Sequence, residues 1–379
     1  MIYFDNAATG GFKPRAVTDA ADNVLRYLSA NPGRSGHRLS LAGAEIVYGT
    51  RSALAETFNC NPDRVIFTKN CTEALNYAIF GSLVEGGHVI TTAFEHNSVL
   101  RPLHTLENKG LISLDVIFPD KETPIEKLIE EKITPATYMI VTTSVSNVTG
   151  ELLPIDRIGK VAKAHNLLYL VDGAQGGGHI QIDIKSLGIS YLALAGHKGL
   201  YGIMGSGALL INDDADLSPI LFGGTGSESF NLNQPESYPE RLESGTLNLP
   251  AIAALGEGVR FIKSNLNSFA NHLISSTSTL IDGLKRIPKI ECFSSPNPAG
   301  IVAFLHKNIE STQLADLLNE KFDVAVRGGL HCAPLMHKHL KTDKCGLIRV
   351  SLAVQNSSRE TAYFLSSLSK LCQQSSKSF

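Results

Sequence analysis

L-L-Y-L-V-D-G-A-Q, residues 167–175, is the stretch that decides how this chain folds. An uninterrupted apolar run ends on an aspartate and turns on a glycine. Such a run suits a strand buried on both faces, as in a parallel sheet. An aspartate at its carboxyl end needs a cationic or hydrogen-bonding partner, because burying a lone charge is costly. That end is also where ligands bind in open α/β sheets. Asp172 therefore reads either as a helix-capping residue or as part of a site, with Gln175 in the same turn.

Outward from this stretch the pattern repeats. R-V-I-F-T (64–68), H-V-I-T-T-A (88–93), Y-M-I-V-T-T (138–143), Y-L-A-L-A-G (191–196) and G-A-L-L-I-N (207–212) are strand-like. Between them, C-T-E-A-L-N-Y-A-I-F-G (71–81) and I-D-R-I-G-K-V-A-K-A-H (155–165) carry helical patterns. The alternation predicts the α/β class, with a mainly parallel sheet covered on both faces. Residues 223–248 are polar and rich in Gly, Ser, Asn and Pro, too long for a plain connection, and read as a functional loop or an interface arm. Helical periodicity returns at 251–262, and the remainder reads as a smaller α+β domain.

The bulk numbers fit a soluble enzyme: 379 residues, 43% hydrophobic and 18% charged. A formal net charge of −2 gives no field to attract nucleic acid or an anionic membrane. No apolar run is long enough to span a bilayer, and the first residues lack the pattern of a signal peptide. The expectation is a cytoplasmic protein. Six cysteines without C-x-x-C pairs argue against a disulfide framework there. Cys332, in V-R-G-G-L-H-C-A-P (326–334), is open to reading as a packed thiol, a metal ligand or a nucleophile. His331, His337 and His339 crowd around it, but structural zinc sites use two separated ligand pairs and the sequence offers no second one, so no metal is expected. G-G-G (176–178) is not a dinucleotide-binding turn.

The strand ends carry the chemistry. T-K-N-C-T-E-A-L-N starts a helix whose free amides, around Cys71 and Thr72, suit an anion, although a plain helix cap explains Thr72 as well. F-E-H-N-S places His96 at the sheet rim, and V-S-N-V-T-G places Asn147 in the same layer. A-G-H-K-G brings Lys198 out of an apolar run between glycines, natural for an amine held in a pocket. An anion cradle, an imidazole, a carboxylate and a desolvated amine on one rim are the set that pyridoxal phosphate requires.

With Y-F-D-N-A-A-T, R-S-G-H-R-L-S (34–40), E-H-N-S, S-V-S-N-V-T-G, V-D-G-A-Q, A-G-H-K, L-E-S-G-T-L-N, R-G-G-L-H-C-A-P and I-R-V-S-L-A-V-Q-N (348–356), the chain resembles the cysteine desulfurase and selenocysteine lyase family. These are class V aminotransferase-like enzymes of the fold-type-I pyridoxal phosphate group, and the match is to the short-loop subgroup. The resemblance implies a large cofactor-binding domain at 15–255 with a mainly parallel seven-stranded sheet. It also implies a small domain made of 1–14 and 256–379. Lys198 would attach the cofactor, Asp172 would face its pyridine nitrogen, Gln175 its phenolic oxygen, and His96 would stack on the ring. Cys71, Thr72 and His197 would hold the phosphate, joined by Thr246 of a second subunit, with Asn147 beside the ring and substrate. Arg349 would clamp the substrate carboxylate. Cys332 would be the nucleophile that receives sulfur from L-cysteine as a persulfide, with His96 carrying a proton. L-selenocysteine lyase activity, or another reaction of this cofactor class, is the alternative. A homodimer and a sulfur-accepting protein are implied as well. Ala195, Cys71 and Leu330 depart from residues common in the family: a hydroxyl residue, a Thr and a second His.

Overall fold

The computed structural model describes residues 1–33, 35–120 and 122–374; Arg34, at the head of R-S-G-H-R-L-S, lies outside them. The chain opens with β1 (Ile2–Tyr3), α1 (Arg15–Tyr27) and α2 (Arg38–Phe58). Strands and helices then alternate: β2 (Val65–Thr68), α3 (Cys71–Gly81), β3 (Gly87–Thr92), α4 (Asn97–Asn108), β4 (Ile112–Ile117), α5 (Ile125–Glu130), β5 (Thr137–Thr143), α6 (Ile155–Ala164), β6 (Leu168–Asp172), β7 (Tyr191–Ala195) and β8 (Gly207–Ile211). These strands form a seven-stranded sheet in the order β2-β8-β7-β6-β5-β3-β4. Strands β3 to β7 run parallel to one another, while β8 runs against both β7 and β2.

Both faces of the sheet are buried. Ile90, Ile140, Val171, Leu192 and Leu194 point into one apolar layer, and Val89, Met139, Val141, Leu170 and Ala193 into the other. This is why the strands read as continuous apolar runs. The exception is β4, whose Ser113 and Asp115 interrupt the run; it lies at the sheet edge, paired only with β3, and its middle residues are not buried. That strand was not expected from the sequence.

After α7 (Leu249–Lys263) and α8 (Leu266–Lys285) the chain builds a second layer pair. It comprises β9 (Ile290–Cys292), β10 (Ile301–His306), α9 (Ser311–Phe322), β11 (Val324–Ala325), β12 (Arg327–Gly329), α10 (Pro334–His339), β13 (Leu347–Ser351) and α11 (Ser358–Gln374). The antiparallel sheet β12-β13-β10-β9 packs a core of its own around Phe304, Val350, Phe364 and Leu368. The amino terminus joins this core. Strand β1 pairs with β11, and the Phe4 ring meets Phe364 edge-on at 5.9 Å. Asp5 is thereby set against Ser351, at the side of the sheet that faces the large rim. Among the described residues no helix is long and apolar enough to cross a membrane.

Register places the rim. Asp172 is paired with Thr143 of β5 on one side and Ala193 of β7 on the other. The triple glycine explains how the two following turns fit together. Gly178 adopts φ +89°, and a Cβ there would lie 2.2 Å from the Gly199 carbonyl oxygen. Only glycine lets the chain after Gln175 press against the chain after Lys198.

One carboxyl holds the ends of β3 and β5 together. Glu95 is fully buried; the Thr92 hydroxyl donates to its Oε1 at 2.6 Å and the Thr143 amide at 3.0 Å. Its Oε2 has no partner. Burial pushes this acid up to about 8, against the pull of the two donors. The folded state thus holds a proton that the unfolded chain releases near its ordinary carboxylate value. The resulting stability is complete below that value and is lost as pH rises through about 8. Glu95→Gln should remove the loss, so its stability relative to the parent rises between about pH 5 and pH 8, at up to roughly 1.4 kcal/mol per pH unit, and levels off above that. Thermal unfolding across that range checks it; parallel curves for the two proteins would contradict the assignment.

Candidate active site

Asp172, Lys198, Cys71, Thr72, His96, Asn147, Gln175 and His197 wall a single cleft. They come from the ends of five strands and the starts of α3 and α4, so the sequence order alone could not show that they meet.

The Asp172 side chain is asymmetric. The Ala174 amide donates to its Oδ1 at 2.8 Å, and the Cys71 thiol lies 3.4 Å from the same oxygen. Among the described residues no hydrogen bond reaches Oδ2, which is left for a donor in the cleft. Burial, with Asp172 adding, raises the Cys71 thiol well above its ordinary value. Cys71 is therefore a neutral thiol that caps Asp172.

The other end of the cleft suits an anion. Asn70 caps α3 by accepting from the Glu73 amide, which leaves the amides of Cys71 and Thr72 without a protein acceptor among the described residues. Burial pulls the His197 ring down to about 4, helped by Lys198 and Lys13, so at neutral pH it is an uncharged donor or acceptor. Its Nδ1 meets the Thr9 hydroxyl at 3.1 Å, and the Lys13 ammonium donates to its carbonyl. Burial likewise lowers the Lys198 amine, opposed chiefly by Asp172. A lowered amine is more often in the neutral, nucleophilic form. Free Oδ2, unpaired amides and a softened amine around one cleft fit pyridoxal phosphate group by group.

His96 caps α4: the Ser98 amide donates to its Nδ1 at 3.1 Å. An amide can only donate, so the neutral ring carries its hydrogen on Nε2. The Ser98 hydroxyl lies 2.9 Å from that Nδ1 and 2.7 Å from the Thr72 hydroxyl. Ser98 thus ties the imidazole to the anion end. It stands inside the quoted E-H-N-S, yet the sequence reading gave it no role; the rule that a cap's side chain bonds two residues on could have found it.

Arg349, Cys332 and Thr246 lie outside the cleft wall. Arg349 is 1% exposed; its Nη1 donates to the Asn147 carbonyl at 3.0 Å and its Nη2 to Asp5 at 2.9 Å. Its buried Nε has no partner. Cys332 is exposed, on a turn fixed by the Asn97 amide donating to its carbonyl at 2.7 Å and by Asn147 Nδ2 donating to the His331 carbonyl at 2.7 Å. Asn97 follows His96 and Asn147 lines the cleft, so the thiol's turn is bonded directly to the rim. Thr246 is exposed on a neighbouring cleft with Lys69 and Glu73 and does not reach the cofactor cleft of its own chain. Asp5, which holds Arg349, was quoted in Y-F-D-N-A-A-T but assigned nothing.

Burial is the first cause that lowers the His96 imidazole, and Asp172 is the first that raises it. Asp172→Asn should therefore lower the His96 pKa further. Titration of ¹³C-histidine-labelled protein, with His96 assigned by substitution, measures this; an upward move would refute the arrangement.

Residues 2–364 match the family described as aminotransferase class-V. The chain is 32% identical to a probable cysteine desulfurase of Pyrococcus abyssi, over 98% of this chain and 94% of that one. It is 30% identical to another from Methanothermobacter thermautotrophicus, over 95% and 92%. The solved apo cysteine desulfurase of Thermococcus onnurineus superposes with a TM-score of 0.91 at 30% identity, covering 98% of this chain and 95% of its own. By sequence and by fold, the chain belongs to the class-V aminotransferase family.

Proposed function

We propose that the protein is a pyridoxal-phosphate-dependent cysteine desulfurase that converts L-cysteine to L-alanine and leaves the sulfur on Cys332 as a persulfide. One observation carries this reading: the cleft that joins Lys198 to Asp172 is hydrogen-bonded at its rim to the turn that exposes Cys332. Relatives at 30–32% identity bearing that name support it.

When bound, the cofactor supplies an electron sink that weakens the bonds at the substrate's Cα and Cβ. Asp172 Oδ2 would face its ring nitrogen, and Gln175 its phenolic oxygen, since only one hydrogen of the Gln175 amide is used, on the Ala7 carbonyl. The first amides of α3, with His197, would hold the phosphate. Arg349 binds the substrate carboxylate in competition with Asp5, and its free Nε gives it a second donor. Lys198, with its lowered amine, takes the α-proton and returns it to Cα, while the proton given up by the substrate thiol ends on Cβ as it becomes the methyl group. His96 Nε2 exchanges a proton at the substrate sulfur. Thiolate Cys332 attacks that sulfur: the S–S bond forms as the Cβ–S bond breaks, and the carbon fragment leaves as alanine.

Thr246 and the exposed Phe222, Phe230 and Leu232 point to a second copy of the chain. In a homodimer the arm 223–248 would cover its apolar side chains and bring Thr246 to the partner's phosphate site. An acceptor protein would take sulfur from Cys332, beside which Leu330 is 41% exposed. The free, partly exposed thiols suit a reducing compartment such as the cytoplasm. The two cores support a large domain from 15 and a small one with residues 1–14. Helix α7 packs on α1 and α2 and runs past 255, so its end is the better boundary.

Purified protein, supplied with pyridoxal phosphate, L-cysteine and a thiol, should give equal alanine and sulfide, and Cys332→Ala should lose both by about 100-fold or more. Undiminished turnover in the variant would replace the persulfide route with direct elimination. Run with L-selenocysteine, the assay separates desulfurase from lyase. Light scattering should give the mass of a dimer, and Thr246→Ala should weaken cofactor binding by roughly tenfold, the loss of one charge-assisted hydrogen bond. A monomer that binds cofactor and turns over cysteine would exclude the shared site.

A further inference from the structure

Gln175 and His197 of the cleft wall, and Arg349 as well, are bonded to one stretch at the amino terminus, residues 5–13. Asp5 accepts from Arg349 at 2.9 Å, and the Ala7 carbonyl accepts from Gln175 at 3.0 Å. Thr9, Gly10 and Lys13 all reach His197. The stretch is itself closed into a turn. The Ala8 amide donates to the Asp5 carbonyl, the Gly11 amide to the Asn6 side chain and the Tyr3 hydroxyl to the Thr9 carbonyl, each at 3.0 Å.

Two of the contacts to His197 converge on its backbone. Its carbonyl accepts from the Gly10 amide at 3.0 Å and from the Lys13 ammonium at 3.1 Å, one donor for each lone pair of the oxygen. That carbonyl belongs to the peptide joining His197 to Lys198. The two chains press together there: a Cβ at Gly10 would lie 3.3 Å from the Lys198 carbonyl oxygen and 3.5 Å from that of His197. Lys13 is half-buried, and burial lowers its amine to about 8. Among the described residues no carboxylate pairs with it, and its ammonium makes this one hydrogen bond. A cation drawn out of water with no acid beside it is costly. What it gains in return is the His197 carbonyl.

We propose that Lys13 is a positioning residue for Lys198: its ammonium, with the Gly10 amide, fixes the 197–198 peptide and so the direction from which the Lys198 amine enters the cleft. Lys13 does not itself line the cleft. Its effect is on where the amine stands.

Lys13→Met keeps the apolar stem and removes the charged donor. With or without pyridoxal phosphate, hydrogen exchange of the Gly10 amide and of the 197–202 segment should quicken by about tenfold or more, the loss of one charge-assisted hydrogen bond. The amides of Ile2 and Phe4, bonded to Asp323 and Ala325, should stay within about twofold of the parent. Lys198 and Lys13 are the charges that help hold the His197 ring low, so its titration should move upward in the variant. In turnover of L-cysteine kcat should fall by about tenfold with KM within about twofold, because the amine that moves the α-proton is displaced while Arg349 is not. Lys13→Arg returns a charged donor and should recover the greater part of each loss. Unchanged exchange at 197–202, or exchange that quickens equally at Ile2 and Phe4, overturns the proposal and leaves Lys13 as a support of the amino terminus alone. Should the methionine variant not fold, Lys13→Gln and Lys13→Arg are compared with the parent instead. The shorter, neutral glutamine should then lose more, and equal losses overturn the proposal. The kcat readout rests on the function proposed above. Exchange and the His197 titration need no turnover, so a parent that fails to turn over cysteine would count against that function and leave this test intact.

Discussion

A carboxylate at the end of a fully apolar strand is the constraint around which this molecule is arranged. Asp172 is 3% exposed, and such a group is tolerable only where donors and positive charge are close. The structure meets the need in three ways. The Ala174 amide and the Cys71 thiol cap one oxygen, Lys198 supplies charge from the next strand end, and the other oxygen faces the cleft. Each depends on the same topology. Only a sheet with β6 flanked by β5 and β7 brings the turns after 143, 172 and 195 to one rim, and the glycines at 178 and 199 let two of those turns touch.

Much of this was legible because burial on both faces leaves a strong signature. Six strands were read to within a residue or so, since a strand inside an α/β layer cannot afford polar positions. Edge strand β4 escaped for the complementary reason: with one neighbour and exposed middle residues, its sequence is free to carry Ser113 and Asp115. Lys198 and Asp172 could be picked out because charged groups that end apolar runs need a purpose. Reading the strand ends singled out Thr72, His96, Asn147 and Gln175, the family resemblance added Cys71 and His197, and the cleft gathers all of them.

What escaped was set by distance rather than by pattern. Asp5 is 344 positions from Arg349 in the chain, and nothing local distinguishes it from any aspartate before a turn. Glu95 looks like an ordinary rim acid until the fold removes all water from it. Ser98 acts through its neighbours, so its role exists only once Thr72 has been brought alongside. The left-handed backbone at His331 and Cys332 is equally silent in sequence, because the usual signal for it, a glycine, is absent there.

The two cores divide the work in a way that makes their junction decisive. The large sheet fixes the amine, the acid and the anion end rigidly, within elements buried on both sides. The small sheet brings Arg349 on β13 and Cys332 on the turn after β12, tied to the rim by the hydrogen bonds of Asn147, Asn97 and the amino-terminal Asp5 and by the packing of Phe94 and Val148 with Ala333 and Leu347. Asn147 takes part twice: its carbonyl receives the guanidinium while its amide holds the His331 carbonyl. A single residue of the turn after β5 therefore meets both the group that would grip a carboxylate and the backbone that carries the thiol. Strain in the nucleophile's turn and burial of the arginine both terminate on that one buried residue, in the turn that follows β5.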